Sequence, residues 1–522
     1  TLNINNSDFM NGKYAFSKTG NGTAGIVNQG NIRTADGGYV ALLGDQVINE
    51  GVIIANKGSV ALGAGSSMTL DFAGDGLINL NVNQGAVNAL AENKNLVQAD
   101  GGLVVMTAKS AGDLIGTVVN NSGIIQAKSL TNVNGVIRLD GGTSGTVAVS
   151  GTLDASGKDA GQTGGTVKVL GSEIGVTNAV VDASGNKGGG TVLVGGNYQG
   201  KGSEQNAANT TVGKDVTIKA DAVTEGKGGT VVVWADNKTQ FDGAISAKGG
   251  SLSGDGGLIE TSGKILDIGA GMTVTAEAKN GKGGEWLLDP YDYTVNAAEA
   301  SQIGMTLNNG TSVTISTAAS TAAVKDGALT GVSGSGDITV TSQILKNAGG
   351  DATLTLRADR NIIINSHITS TAGKLNLTLS AANSDGATAG GVSVNGNLAS
   401  NGGNILIGGN TGTVTNGIGF ARNLFAITPK NTDNPAVLIG ASQSILSGGG
   451  NITINGHSTL GQSSGSYEST QSGVYIKSGA KILSGIGNLY ITGEESGGAN
   501  TFGIGFEANS GTVSTIGTST TA

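Results

Sequence analysis

Apolar and polar residues alternate over short runs of this chain, and a glycine turn ends each run. One such unit extends from Val27 to Leu42 and the next from Ile48 to Leu62, each reading strand, turn, strand, turn. Alternation with a period of two is typical of β-strands. Self-similar units with a period of roughly 20 to 50 residues predict a solenoid, whose short coils bury their apolar faces only by stacking. The pattern therefore predicts an all-β fold, a β-solenoid or β-helix.

A second pattern runs from about residue 136 to residue 295, where paired glycines precede strands rich in valine. Gly164-Gly165, Gly189-Gly190 and Gly228-Gly229 each open such a strand, and the linkers between strands vary in length. Because side chains alternate between the two faces of a strand, we predict that one set points inward and stacks in rows. Its members are Val167, Val169, Val192, Val194, Val231, Val233 and Ile259.

After Pro290 the strands become rich in threonine, and a third repeat appears. Val437-Leu438-Ile439 is matched by Val474-Tyr475-Ile476 at an offset of 37 residues. Ala297 to Met305 forms the main helical candidate. At about 22 residues per coil, the chain would form an elongated rod of roughly two dozen coils with loop insertions.

Composition narrows the class of protein. The 522 residues include 93 Gly, 3 Pro and no Cys, and the formal net charge is −9. Gly without a three-residue register and with little Pro excludes collagen, and the lack of Cys excludes a disulfide scaffold. Scattered charges without a basic stripe argue against a nucleic-acid partner. No apolar run reaches the roughly 18 residues of a membrane span, so we predict no membrane insertion.

Few side chains of this sequence are candidates for catalysis or metal binding. His367 and His457 are the two histidines, and we find neither a triad partner nor metal-ligand spacing for them. Asp154 and Asp182 occupy equivalent repeat positions, so they could stack as a hydrolytic or Ca²⁺ site, or cap the adjacent Ser-Gly bends. The segment from Arg422 to Pro435 is a long loop that is either a plain insertion or a ligand contact. We predict no catalytic, cofactor or metal site.

Asn-x-Gly turns recur at Asn28, Asn49 and Asn121, where stacked side chains could bond along the axis as ladders. Four further segments are distinctive: Asp8 to Ser17 (DFMNGKYAFS), Asp36 to Gly44 (DGGYVALLG), Thr69 to Gly76 (TLDFAGDG) and Trp286 to Tyr291 (WLLDPY). These segments resemble the exoproteins of bacterial two-partner (type Vb) secretion, the filamentous-haemagglutinin-like adhesins. The resemblance covers about residues 1 to 295. The family's N-terminal cap and Asn-Pro-Asn-Gly motif are absent, and we interpret the chain as an excerpt of a larger protein.

The resemblance implies a right-handed parallel β-helix that an outer-membrane β-barrel transporter exports to the surface of a Gram-negative bacterium. Together with the repeat patterns, it predicts three regions: residues 1–135, the late part of a secretion domain carrying the Asn28, Asn49 and Asn121 turns; residues 136–295, Gly-rich β-helix repeats; and residues 296–522, irregular solenoid repeats. The implied role is a secreted adhesin or matrix protein that attaches to host cells, surfaces or biofilm, with a host or polysaccharide receptor.

Two other function classes remain open at this point. Parallel β-helices include polysaccharide lyases and hydrolases, which need clustered acidic groups. A solenoid could also bind a ligand through an array of threonines, but no Thr-x-Thr column holds its register for more than one or two turns. The scarcity of histidine and of clustered acids favours the structural adhesin over the enzyme.

Overall fold

A computed structural model describes residues 2–20, 25–72, 79–111, 117–131, 133–317, 335–383, 389–424, 434–459, 472–496, 502–507 and 514–518. The chain divides into two compact units, Thr1–Glu285 and Trp286–Ala522. Both units consist of short strands stacked in parallel sheets, so the predicted all-β parallel solenoid is confirmed.

Each coil of the N-terminal unit contributes one strand to each of three parallel sheets. The first sheet contains Gly25–Asn28, Gln46–Asn49, Leu90–Asn93, Thr117–Asn121, Thr146–Val149, Glu173–Val176, Asn209–Val212 and the C-terminal parts of Thr230–Phe241 and Leu258–Ile268. The second sheet contains Asn31–Arg33, Val52–Ile54, Leu96–Gln98, Ile124–Gln126, Thr152–Asp154, Val180–Asp182, Thr217–Lys219, Ala244–Ser246 and Thr273–Thr275. The third sheet contains Tyr39–Gly44, Ser59–Ala64, Leu103–Ala108, Val136–Asp140, Thr166–Leu170, Thr191–Val194 and the N-terminal parts of Thr230–Phe241 and Leu258–Ile268.

The predicted rows of valines form the core of this unit. Val167 pairs in register with Val192, and Val192 pairs with Val231. All seven predicted inward residues are fully buried. Burial of these side chains removes apolar surface from water, which stabilises the unit by about 25 cal/mol per Å² of buried apolar surface.

A column of glycines lets successive coils approach at the corner that precedes the third sheet. A Cβ built at Gly165, Gly190 or Gly229 would lie 2.2, 2.0 or 2.1 Å from the carbonyl oxygen of the glycine in the coil before. That same oxygen accepts a ladder hydrogen bond, for example from Thr191 N to Gly165 O at 2.9 Å. The column comprises Gly38, Gly58, Gly102, Gly135, Gly165, Gly190, Gly229, Gly257 and Gly284.

We expect Gly190→Ala to destabilise the N-terminal unit by about 1–3 kcal/mol, because a methyl group must push two backbones apart. Gly175→Ala is the matched control, since a Cβ there meets no atom within 4 Å. Urea denaturation followed by circular dichroism measures both variants. Equal midpoints for Gly190→Ala and wild type would contradict the close approach.

An antiparallel insertion interrupts the first coils of the N-terminal unit. The helix Asn6–Met10 precedes Ala15–Ser17, which pairs with Ser67–Asp71, and Ser67–Asp71 pairs in turn with Asn79–Gln84. Met68 and Leu70 of this small sheet form a buried cluster with Leu43 of the strand Tyr39–Gly44, and Leu2, Phe16 and Leu80 pack against it. The insertion was not predicted, because alternation identifies a strand but not its partner.

The C-terminal unit also has three parallel sheets. Its first contains Tyr293–Val295, Ile338–Val340, Ile362–Ile364, Val392–Val394, Val437–Ile439, Ser472–Ile476 and Phe502–Phe506. Its second contains Ile344–Lys346, Ile368–Ser370, Leu398–Ala399, Ser444–Leu446, Lys481–Leu483 and Thr515–Gly517. Its third contains Ser312–Ser316, Ala352–Arg357, Leu375–Ala381, Ile405–Gly409, Ile452–Ser458 and Leu489–Glu495. A hairpin of Thr411–Thr415 and Ile418–Phe420 is antiparallel, and Glu285–Asp289 spans the division between the units.

Two predictions about this unit are confirmed. The 37-residue repeat is a coil-to-coil register, because Val437 pairs with Val474 and Ile445 pairs with Ile482. The predicted short helix is Ala297–Asn308, whose N-terminus is capped by the Asn296 side chain accepting from Ala298 N at 2.8 Å. This helix follows the strand Tyr293–Val295 and stands where the other coils place a strand of the second sheet.

The expected number of coils is wrong. The second sheet of the N-terminal unit has nine strands, and the first sheet of the C-terminal unit has seven, among the residues that the structure describes. Matched asparagines of the first sheet lie from 21 to 44 residues apart along the chain. Insertions between strands consume residues without adding a coil, so an average repeat of about 22 residues overestimates the count.

Candidate functional site

A ladder of buried asparagines runs along the corner between the first and second sheets of the N-terminal unit. Asn28 Nδ2 donates to Asn49 Oδ1 at 2.8 Å, and Asn49 Nδ2 donates to Asn93 Oδ1 at 2.9 Å. Asn93 Nδ2 then donates to Asn121 Oδ1 at 2.8 Å. Each of the four side chains is at most 8% exposed. The predicted ladder therefore exists, and it contains Asn28, Asn49 and Asn121.

Each ladder side chain also holds its own corner. Asn49 Nδ2 donates to the carbonyl of Gly51, two residues further along, at 3.1 Å, and Asn121 does the same to Gly123 at 3.2 Å. The amide of Asn49 also reaches Leu96 O in the next coil at 3.2 Å. A buried polar group that lost these partners would cost about 1–3 kcal/mol, so the ladder fixes both the turn and the coil register.

Sequence reasoning missed the fourth member, Asn93. In its coil the residue two positions later is Asn95, where the other three turns have glycine, so the Asn-x-Gly pattern did not include it. The Asn95 carbonyl still accepts from Asn93 Nδ2 at 3.2 Å. An Asn followed two residues later by Gly or Asn, then by an apolar strand, is the signal that would have found it.

The ladder ends where the column becomes apolar. Asn121 pairs with Val149, and Val149 pairs with Val176. Both valines are buried. The same corner position therefore holds hydrogen-bonding side chains in the early coils and packing side chains in the later ones.

Two of the sequence segments that carry the resemblance lie side by side in the structure. Ala15 pairs with Thr69 and Ser17 pairs with Ser67, so the Asp8 to Ser17 segment and the segment that begins at Thr69 share one antiparallel sheet. Residues 73–76 of the latter lie outside the described residues. Sequence separation of about fifty residues gave no indication of this pairing.

Aromatic rings of these segments form a surface cluster. Phe9 and Tyr14 have ring centroids 5.4 Å apart, and Tyr14 and Phe72 have centroids 4.6 Å apart, both edge to face. Tyr39 joins Phe72 at 5.6 Å. Phe9 is 50% exposed and the adjacent Met10 is 80% exposed. Exposed apolar patches of this kind are unusual away from interaction sites.

Asp154 and Asp182 stack in register on one edge of the second sheet of the N-terminal unit, as their repeat positions predict. Their carboxylates accept from Ser156 N at 3.0 Å and from Ser184 N at 2.8 Å, which is the capping arrangement. Burial opposes ionisation of Asp182, but the Lys158 ammonium at 2.7 Å and the Ser184 amide outweigh it, so the pKa of Asp182 lies below its ordinary value. Both groups are therefore structural caps in the described fold.

His457 has side-chain partners that the sequence did not indicate. It lies inside the strand Ile452–Ser458. His457 Nε2 is 3.0 Å from Ser496 Oγ, and Nδ1 is 3.6 Å from Glu494 Oε2. Glu494 lies in the next strand of the same sheet, Leu489–Glu495, where it pairs with His457, and Ser496 directly follows that strand.

The His457 tautomer is the wrong one for a general base. Arg422 Nη1 lies 2.8 Å from His457 Nδ1, and a guanidinium can only donate, so Nδ1 is the acceptor. The ring proton of neutral His457 is then on Nε2 and is donated to Ser496 Oγ. A histidine that activates a serine must have an unprotonated Nε2, which accepts the hydroxyl proton. The arrangement therefore does not activate Ser496.

The remaining candidates have structural positions. His367 is exposed between the strands Ile362–Ile364 and Ile368–Ser370, and its Nδ1 accepts from Asn397 N at 2.9 Å. Residues 425–433 of the predicted loop lie outside the described residues. Across the described ranges, no group of three or more His, Asp or Glu side chains could hold a metal ion. Within the same ranges, no helix has the length and apolar character needed to cross a membrane.

The chain is similar to the HMW1 secretion domain from Haemophilus influenzae, with 30% sequence identity and a TM-score of 0.46. The match covers 55% of this chain and 73% of that domain. No family model and no curated protein sequence matches this chain.

Proposed function

We propose that this chain is the exported part of a bacterial adhesin of the two-partner secretion type, a β-solenoid that carries its binding surface outside the cell. The observation that carries the proposal is the pairing of the two resembling segments, through Ala15 and Thr69, in one antiparallel sheet. Segments that resemble one family and also meet in space act as one structural feature, whereas unrelated matches would be scattered.

The asparagine ladder supports the export part of the proposal. A chain that crosses an outer membrane unfolded must form its first stable coils outside, and the Asn28 to Asn121 ladder stabilises the early coils specifically. Repeat proteins fold by nucleation at one place and propagation to neighbours. Folding of these coils at the surface would then draw the following coils outward through the β-barrel transporter.

Secretion tests this role. We expect Asn28→Ala, Asn49→Ala and Asn121→Ala in combination to reduce the amount of full-length protein at the surface of bacteria that also carry the transporter. The later coils beyond residue 136 should still fold, since valines occupy the ladder column there. Surface protein is measured by whole-cell immunodetection, and the coils by circular dichroism of the purified chain.

The matched control replaces three exposed asparagines of the same unit that lie outside both the ladder and the antiparallel sheet, Asn31, Asn134 and Asn280, with alanine. Normal export of the control together with impaired export of the ladder variant supports the proposal. Normal surface levels of the ladder variant would show that these asparagines are turn formers without a role in export.

Adhesion is tested separately from export. Bacteria that display the protein should attach to host cells or abiotic surfaces more than a deletion strain does, and purified protein should compete for the same sites. Release of reducing or unsaturated ends from polysaccharides incubated with the protein would instead favour the enzyme alternative.

A further inference from the structure

The segment Ile418–Leu424, here called the stem, is attached to the strand Ile452–Ser458 of the C-terminal unit. Ala421 N donates to Asn455 O at 3.2 Å, and His457 N donates back to Ala421 O at 2.9 Å. The side chain of Asn423 continues this attachment, since its Nδ2 donates to Ser458 Oγ at 2.9 Å. The stem is thus a short parallel addition to the strand, and it is also anchored elsewhere, because Arg422 N donates to Gly390 O at 2.8 Å and Asn423 Oδ1 accepts from Thr459 N at 2.7 Å.

His457 lies at the centre of this attachment. Its Nδ1 accepts from Arg422 of the stem, and its Nε2 contacts Ser496 on the other side. The ring also packs edge to face against Phe420 of the stem, at 6.5 Å between centroids. One half-buried side chain therefore joins the stem, its own strand and the segment that follows the neighbouring strand.

The charged groups that face His457 come from both sides. Arg422 approaches from the stem, whereas Glu494 and Glu495 belong to the neighbouring strand Leu489–Glu495. The Arg422 Nε atom is buried and makes no hydrogen bond. The guanidinium is thus only partly satisfied, and the imidazole nitrogen is its closest described partner.

We propose that His457 is a pH-sensitive latch: its neutral ring accepts from Arg422 and closes the stem on the strand Ile452–Ser458, and uptake of a proton releases Arg422. An imidazolium has two N–H donors and no acceptor. Protonated Nδ1 would direct its hydrogen at the guanidinium, and two cations at hydrogen-bond distance repel each other. Glu494, at 3.6 Å, then becomes the preferred partner of Nδ1.

The direction of the pH dependence follows from the surroundings of the ring. Burial, and then the Arg422 charge, hold the pKa of His457 below its ordinary value of 6.5, while Glu494 and Glu495 act in the opposite sense. The closed form thus binds a proton less readily than the open form. Its stability is complete above pH 6.5 and is lost as the pH falls from there to the lowered pKa.

Hydrogen exchange of the intact chain tests the latch. Between pH 7.5 and pH 5, peptides that contain residues 420–424 should lose protection by about tenfold for each unit by which the pKa of His457 is lowered, after correction for intrinsic exchange. His457→Asn keeps a neutral acceptor near the Nδ1 position, so its stem should stay protected at both pH values. His367→Asn changes the other histidine and should behave as wild type.

Titration of the ring itself gives an independent measurement. The chain has two histidines, so His367→Asn leaves one imidazole signal in the NMR spectrum. Arg422→Gln removes the facing charge and should move the His457 titration to higher pH. The proposal is overturned if stem protection changes equally in wild type and His457→Asn, if it does not change in wild type, or if Arg422→Gln leaves the titration where it was.

Discussion

Val192→Asp is expected to destabilise the N-terminal unit by about 4 kcal/mol or more, because it places a carboxylate in the apolar core. Val192 is fully buried between Val167 and Val231 of the adjacent coils. An ionised carboxylate at this position would have neither a hydrogen-bond partner nor water around it. The group must therefore take up a proton or force the packed side chains apart. Because each coil contacts only its neighbours, the damage should centre on three coils.

Urea denaturation with detection by circular dichroism measures this loss as a lowered midpoint. Thr211→Asp is the matched control, because Thr211 lies in a strand of the same unit but its side chain is exposed. The control should shift the midpoint little. Equal midpoints for Val192→Asp and Thr211→Asp would show that the valine rows do not point inward.

Asn49→Ala is expected to cost about 3 kcal/mol, because it removes a link from the middle of the ladder. The substitution takes away the acceptor of Asn28 and the donor to Asn93 Oδ1. It also leaves the buried carbonyl of Gly51 and the partly buried carbonyl of Leu96 without their side-chain donor. Several buried polar groups thus lose a partner at once.

Asn121→Val is the informative comparison, since it extends by one coil the apolar column that begins at Val149. It removes the acceptor of Asn93, which keeps two carbonyl partners, Asn95 O and Ile124 O. We therefore expect a cost of about 1 kcal/mol. Thermal or urea denaturation of both variants checks the order, and a larger loss for Asn121→Val would contradict the assignment of the ladder's end.

Local patterns in the chain determined much of this fold. Alternation placed Val192 and its row in the core, and the 37-residue offset of Val437 and Val474 proved to be the register of adjacent coils. In a parallel stack the same residue position recurs at the same place, so similarity along the sequence becomes contact in space. For the same reason Asn28 and Asn49 could be expected to meet, and Asp154 and Asp182 to share an edge.

Only the tertiary structure decided the contacts that do not follow the repeat. Asn93 joins the ladder from a turn without glycine, and Ala15 pairs with Thr69 across an intervening set of coils. His457 acquires Arg422 from the stem, which begins with the second strand of a hairpin. These residues lie in or beside insertions of variable length, so they do not recur at the spacing of the coils. Their partners depend on the path by which the insertion rejoins the solenoid, and the alternation of apolar and polar residues does not specify that path.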